Sequence, residues 1–299
     1  MNNNYFKGSM VAIVTPMNQD GSLDHDSLEE LIEFHISNKT DVIVSVGTTG
    51  ESATLNFKEH SEVINRTLSI VNKRIPVIAG SGANSTSEAM ELTLKSKELG
   101  ADGCLLVTPY YNKPPQNGLY HHYKTIADKV AIPQILYNVP GRTSVDMLPD
   151  TVYKLSKHPN IIGIKEASGN LDRSKELLEK CADNISIYTG DDKTSLRDIL
   201  LGFTGNISVT ANIAPLEMHN ICKLASQGKD DEANKINSKL DILHDNLFIE
   251  SNPIPVKWAL FKMGLIKKGI RLPLTWLDEK YENIITTSLC DAGIIIKKL

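Results

Sequence analysis

Residues 42–51 read Val42-Ile43-Val44-Ser45-Val46-Gly47-Thr48-Thr49-Gly50-Glu51, a short β-rich run that breaks into two threonines flanked by glycines. Val42-Ile43-Val44 is apolar on both faces, as a parallel strand covered by helices requires. Working outward, runs of the same kind recur at Met10–Thr15, Pro76–Ala79, Gly103–Val107, Pro133–Tyr137, Ile161–Lys165, Ser186–Thr189 and Gly205–Val209. Each is followed by a longer stretch with helical periodicity. Leu28, Leu31, Ile32 and His35 fall at i, i+3, i+4 and i+7, and the stretch from Ser85 ends at Leu99 with Gly100 placed as a helix stop. Eight strand–helix units in about 225 residues predict an α/β fold of the (β/α)8 TIM-barrel type rather than an open doubly wound sheet.

Beyond Gln227-Gly228 the strand signals stop, and residues 230–299 read as helices only, broken at Asn252-Pro253-Ile254-Pro255 and at Leu272-Pro273. The expected organisation is a catalytic barrel over 1–228 and a C-terminal helical extension over 229–299, whose simplest role is packing.

Lys and Arg total 32 and Asp and Glu 36, a net charge of -4 spread in mixed sign over 299 residues, so nothing marks a nucleic-acid partner. Met1–Lys7 has neither a basic leader nor an apolar core, and no apolar run approaches the ~20 residues of a membrane helix. Cys104, Cys181, Cys222 and Cys290 form no Cys-x-x-Cys pair and read as reduced, mostly buried thiols. A cytoplasmic chain without membrane attachment is expected.

In a parallel barrel the chemistry sits where strands end at the carboxyl face. There Gly47-Thr48-Thr49-Gly50-Glu51 offers hydroxyl and backbone donors for a small carboxylate, or else forms a plain glycine turn with a helix cap. The fourth strand runs into Thr108-Pro109-Tyr110-Tyr111 and the fifth into Tyr137-Asn138-Val139-Pro140-Gly141-Arg142; such tyrosines also occur as core aromatics. Ile161-Ile162-Gly163-Ile164 is apolar and ends in Lys165. A lysine desolvated there titrates below its ordinary value of ~10.4 and becomes a nucleophile able to form a Schiff base with a carbonyl substrate. The competing reading pairs it with Glu166 or another carboxylate at the barrel mouth. Tyr137, on the adjacent strand, is placed to move the protons that Schiff-base chemistry needs.

Other chemistries fit less well. None of the eight histidines follows a predicted strand end, so no metal is expected. Glu51, Glu166, Asp191 and Asp192 are candidates for a glycosidase carboxylate pair, although Asp191 and Asp192 read better as caps of the following helix. Gly80-Ser81-Gly82 is a weak phosphate signal, and no dinucleotide fingerprint is present.

Taken together, Gly47-Thr48-Thr49-Gly50-Glu51-Ser52, Tyr137-Asn138-Val139-Pro140-Gly141-Arg142-Thr143, Gly163-Ile164-Lys165-Glu166-Ala167, Thr189-Gly190-Asp191-Asp192 and Asn252-Pro253-Ile254-Pro255-Val256-Lys257 resemble the dihydrodipicolinate synthase family. That family belongs to the pyruvate-dependent class I lyases, which also include N-acetylneuraminate lyase. The resemblance implies that Lys165 forms an imine with pyruvate, which condenses as an enamine with L-aspartate 4-semialdehyde in lysine and diaminopimelate biosynthesis, without a cofactor. Tyr137 would donate and accept protons, linked through Thr48 to Tyr111 of a neighbouring subunit. Thr49 and the backbone at Ile207 would hold the pyruvate carboxylate, Arg142 the carboxylate of the aldehyde, and Gly190 would leave room beside that second substrate. The family is typically a homotetramer.

Some members are inhibited by L-lysine. The matching positions are Ser52, Ala53, His60, Asn84, Glu88 and Tyr110, with Phe57 in place of the histidine common in sensitive members, so retained but altered feedback is expected. The alternatives are another pyruvate-dependent aldolase acting on a sugar acid, and a silent barrel that binds a keto acid.

Overall fold

The computed structural model describes residues 6–297. Met1–Tyr5, on which most of the leader reading rests, lie outside the described residues. Eight parallel strands close into a barrel in chain order, with β1 paired to β8: β1 (Gly8–Ala12), β2 (Val42–Ser45), β3 (Val77–Gly80), β4 (Gly103–Val107), β5 (Gln134–Asn138), β6 (Ile161–Glu166), β7 (Ser186–Thr189) and β8 (Gly205–Ser208). The expected barrel is present, with strand ends shifted by up to three residues. The run predicted to Thr15 leaves the sheet at Ala12, because the Val14 N–H donates to Asn212 Oδ1 at 3.1 Å while Asn212 Nδ2 donates to the Ala12 carbonyl at 2.9 Å. β2 stops before Val46, whose φ of 56° turns the chain into the glycine–threonine loop.

Helices α1 (His25–Ser37), α2 (Phe57–Val71), α3 (Thr86–Leu99), α4 (Gln116–Lys129), α5 (Pro140–Thr143), α6 (Pro149–Leu155), α7 (Leu171–Cys181), α8 (Ser195–Leu201) and α9 (Pro215–Ser226) surround the barrel. The α1 stripe Leu28, Leu31, Ile32 and His35 is buried as its spacing predicted. α3 starts after the cap Ser85 and ends at Gly100, whose φ of 92° is a left-handed stop that glycine adopts without Cβ strain. α2 carries a full capping box between Asn56 and Glu59.

The extension consists of α10 (Asp230–Asn246), α11 (Ile254–Met263) and α12 (Glu279–Asp291). Pro255 does not break a helix; it lies in the first turn of α11, where its missing N–H costs nothing. Apolar residues of the extension, including Val256, Trp258, Leu260 and Ile285, share one continuous core with the residues between barrel and helices. A second, smaller core fills the barrel and includes Met10, Val44, Ile135, Tyr137, Ile162 and Tyr188.

β6 carries the irregularity that matters most for function. Gln134 pairs with Ile161 but Ile135 pairs with Gly163, so β6 holds one extra residue there. Ile162 belongs to the interior core and Ile164 to the outer one. Strict alternation from Ile162 would send Lys165 outward. The bulge resets the phase, and Lys165 registers between Tyr137 and Tyr188, both interior residues.

Candidate active site

The carboxyl ends of the strands surround a cavity of about 220 Å3, lined among others by Thr48, Thr49, Tyr137, Arg142, Lys165 and Gly190. Six of the eight residues assigned to the reaction from sequence therefore converge on one space.

Lys165 is 5% exposed, and its Nζ stands 4.3 Å from the centroid of the Tyr137 ring. Burial pushes its pKa down to about 7; the charge of Asp192 opposes this and that of Arg142 adds to it. A substantial share of the amine is thus neutral at neutral pH. Glu166 is not its partner. As the next residue on a strand it faces the other way, accepting from Asn138 Nδ2 at 3.0 Å and the Ser168 N–H at 2.8 Å, with Arg173 Nη1 at 3.8 Å.

Tyr137 is buried and its hydroxyl is hydrogen-bonded with Thr48. Burial raises its pKa, an effect moderated by Arg142 and by the Thr48 hydrogen bond. The loop that carries Thr48 and Thr49 needs its second glycine, since a Cβ on Gly50 would stand 2.9 Å from Val46 Cα and 3.2 Å from the Ile13 carbonyl. Thr49 is buried and accepts from Asn252 Nδ2 at 3.0 Å. Arg142, exposed at the cavity mouth on α5, donates from Nη2 to the Asn252 carbonyl at 3.2 Å.

Gly190 has a different neighbour from the one expected. A Cβ there would overlap Lys165 Cε and stand 2.8 Å from Ala167 Cβ, so the space it leaves is filled by the lysine stem. Ile207 is fully buried in the barrel interior, and at the end of that strand it is Val209 that lines the cavity. Tyr111 is 89% exposed with a φ of 75° and lies outside the cavity lining.

The other carboxylates are committed elsewhere. Glu51 forms a buried ion pair with Lys257 of α11. Asp191 lines the cavity and accepts from the Thr194 N–H at 3.2 Å and its hydroxyl at 2.7 Å, at the start of α8. Asp192 does not cap α8 as expected; it accepts from Asn206 Nδ2 and from the Val209 and Thr210 N–H groups at 2.7 to 2.9 Å, bracing the end of β8. Gly80 and Gly82 owe their identity to packing, since Cβ atoms there would overlap the Val46 carbonyl and the Val107 nitrogen. Among the described residues no three His, Cys, Asp or Glu side chains cluster as metal ligands, and no helix is long and apolar enough to cross a membrane.

The residues matched to an effector site lie outside this cavity. Asn84 Nδ2 donates to the Tyr110 carbonyl at 3.3 Å, and the Tyr110 hydroxyl has its pKa raised by burial and by the charge of Glu88. Phe57 is largely exposed, and Ser52 and Ala53 lie in a 3-10 turn (Ser52–Thr54). His60 turns inward, its Nε2 2.7 Å from the Gly80 carbonyl.

Among the cavity residues that sequence reasoning did not assign to the reaction, Phe248 and Asn252 lie outside the barrel. Both come from the extension. Asn252-Pro253 stood out as a break, but nothing local showed that it faces Thr49, which is 203 residues away.

The chain matches a family described as the dihydrodipicolinate synthetase family over residues 5–291. A 4-hydroxy-tetrahydrodipicolinate synthase of Thioalkalivibrio sulfidiphilus is 59% identical over 291 residues, covering 97% of this chain and 99% of its own length. One of Pseudomonas aeruginosa is 58% identical over 288 residues, with 96% and 99% covered. Among solved structures, the chloride-inhibited dihydrodipicolinate synthase of Acinetobacter baumannii complexed with pyruvate superposes with a TM-score of 0.96 at 56% identity, covering 97% of this chain and 100% of that one. The Aquifex aeolicus dihydrodipicolinate synthase gives 0.95 at 44% identity, with 98% and 100% covered.

Proposed function

The chain belongs to the dihydrodipicolinate synthetase family, and from that membership we infer that it is a Schiff-base-forming lyase condensing pyruvate with L-aspartate 4-semialdehyde to 4-hydroxy-tetrahydrodipicolinate, in diaminopimelate and lysine biosynthesis. The observation that carries the mechanism is the buried Lys165, with its pKa lowered to about 7, beside Tyr137.

The neutral Nζ attacks the keto carbon of pyruvate, and Tyr137 protonates the hydroxyl that leaves as water, forming the imine. Loss of a methyl proton gives the enamine, whose carbon bonds to the aldehyde carbon while the aldehyde oxygen takes a proton. The amino group of the second substrate then attacks the imine carbon, closing the ring and releasing Lys165. Thr49 and the backbone near Ile207 receive the pyruvate carboxylate. Arg142, at the mouth, receives the carboxylate of the aldehyde.

Thr48 passes protons between Tyr137 and Tyr111 of a neighbouring subunit in a homotetramer. The exposure of Tyr111 in the single chain supports this assignment. The grouping of Asn84, Glu88 and Tyr110 supports an L-lysine effector site, with Glu88 as partner of an ammonium group. The three buried, unpaired cysteines Cys104, Cys181 and Cys222 fit a reducing cytoplasm.

Incubation with pyruvate and borohydride, followed by peptide mass analysis, tests the mechanism: a reduced adduct on Lys165 is expected, and its absence removes the Schiff base and favours a silent keto-acid-binding barrel. A coupled assay comparing aspartate semialdehyde with N-acetylmannosamine and aldehyde sugars tests the second substrate against the sugar-acid alternative.

A further inference from the structure

Asn252 lies between α10 and α11, is 5% exposed and lines the cavity. It touches two separate groups that face the substrates. Its Nδ2 donates to Thr49 Oγ1 at 3.0 Å, and its backbone carbonyl accepts from Arg142 Nη2 at 3.2 Å. In the bond between the two side chains the threonine oxygen is the acceptor. Asn252 Oδ1 is buried without a partner among the described residues. Turning the amide over would satisfy that oxygen, but the Thr49 proton would then be spent on it, and the Nδ2 hydrogens would lose Thr49.

We infer that Asn252 is a positioning residue that sets the polarity of the Thr49 hydroxyl: by donating to the oxygen it leaves the hydroxyl proton free to be given to a substrate carboxylate in the cavity. The extension therefore does more than pack. It supplies the donor that makes Thr49 a donor in turn, and the same residue ties Arg142 to the mouth. A hydroxyl without this constraint rotates between giving and accepting, and toward an anion only the giving orientation is attractive.

The inference rests on the assignment of the cavity to pyruvate, so the two are tested apart. Borohydride trapping on the unaltered protein reports the assignment. The inference is read from the pyruvate concentration that half-saturates trapping, and from pyruvate KM against kcat, in Asn252→Asp, Asn252→Ala, Thr49→Val and the Thr49→Val/Asn252→Ala pair. Asn252→Asp is nearly isosteric and can only accept when ionised, which enforces the opposite polarity; half-saturation should rise by ~10-fold or more, with a smaller change in kcat. Asn252→Ala should raise it less, and should add almost nothing once Thr49 is valine. If the Ala variant does not fold, the Asp variant carries the test alone. Unchanged half-saturation in Asn252→Asp, or losses in the pair that multiply independently, would overturn the inference while wild-type trapping stands.

Discussion

Lys165 and Tyr137 are register partners on adjacent parallel strands, and the lysine nitrogen lies over the tyrosine ring at 4.3 Å from its centroid. The aromatic wall excludes water from the amine on that side and places the phenol among the groups that line the reaction space.

Replacing Lys165 should abolish turnover and adduct formation together. Arginine should fail as completely as alanine, because a guanidinium stays protonated at any working pH and offers no lone pair. Direct calorimetric titration of the variants with pyruvate separates this from a loss of binding.

The pH dependence follows from the lowered pKa of Lys165, about 7 against the 10.5 of an ordinary lysine. Trapping at subsaturating pyruvate should rise through pH 7 and fall by ~10-fold per unit well below it, as the neutral amine disappears. The folded pKa lies below the unfolded one, so the unfolded chain binds more protons between the two values. Native stability therefore falls as pH drops from about 10.5 to about 7. Lys165→Met should be the more stable protein at pH 7, by a margin in urea unfolding that narrows toward pH 10.

Gly190→Ala should cost activity far more than stability. The added methyl meets Lys165 Cε and Ala167 Cβ, and the lysine stem is the part free to move. A displaced nucleophile should slow imine formation by ~100-fold, while the contact with Ala167 Cβ, which cannot swing away, lowers the unfolding midpoint by a smaller measure.

The buried pair Glu51–Lys257 joins the threonine loop to α11, with both side chains fully shielded. Lys257→Met strands a buried carboxylate and should destabilise the protein by ~3–5 kcal/mol. Glu51→Gln in the same chain should recover much of that loss in denaturant unfolding, since neither charge then remains.

Titration of activity with L-lysine tests the effector reading. Inhibition in the millimolar range, weakened by Glu88→Ala, is the expected outcome. Activity unchanged at millimolar lysine would remove the site.

The sequence by itself determined the barrel, because eight strand–helix units are more than an open doubly wound sheet usually carries, and closure buries both faces of every strand. It also singled out the candidate nucleophile, since a lysine ending a buried strand is costly without a chemical use. Tertiary structure decided which way that lysine points: the extra residue in β6 reverses the phase that alternation would assign, and only the register with β5 reveals it. It likewise decided that the space beside Gly190 belongs to Lys165, that Glu166 turns to Asn138 and Arg173, and that Asn252 reaches Thr49. Periodicity reports whether a face is buried. Which distant group meets that face depends on closure of the barrel and docking of the extension, and local patterns of the chain do not encode those contacts.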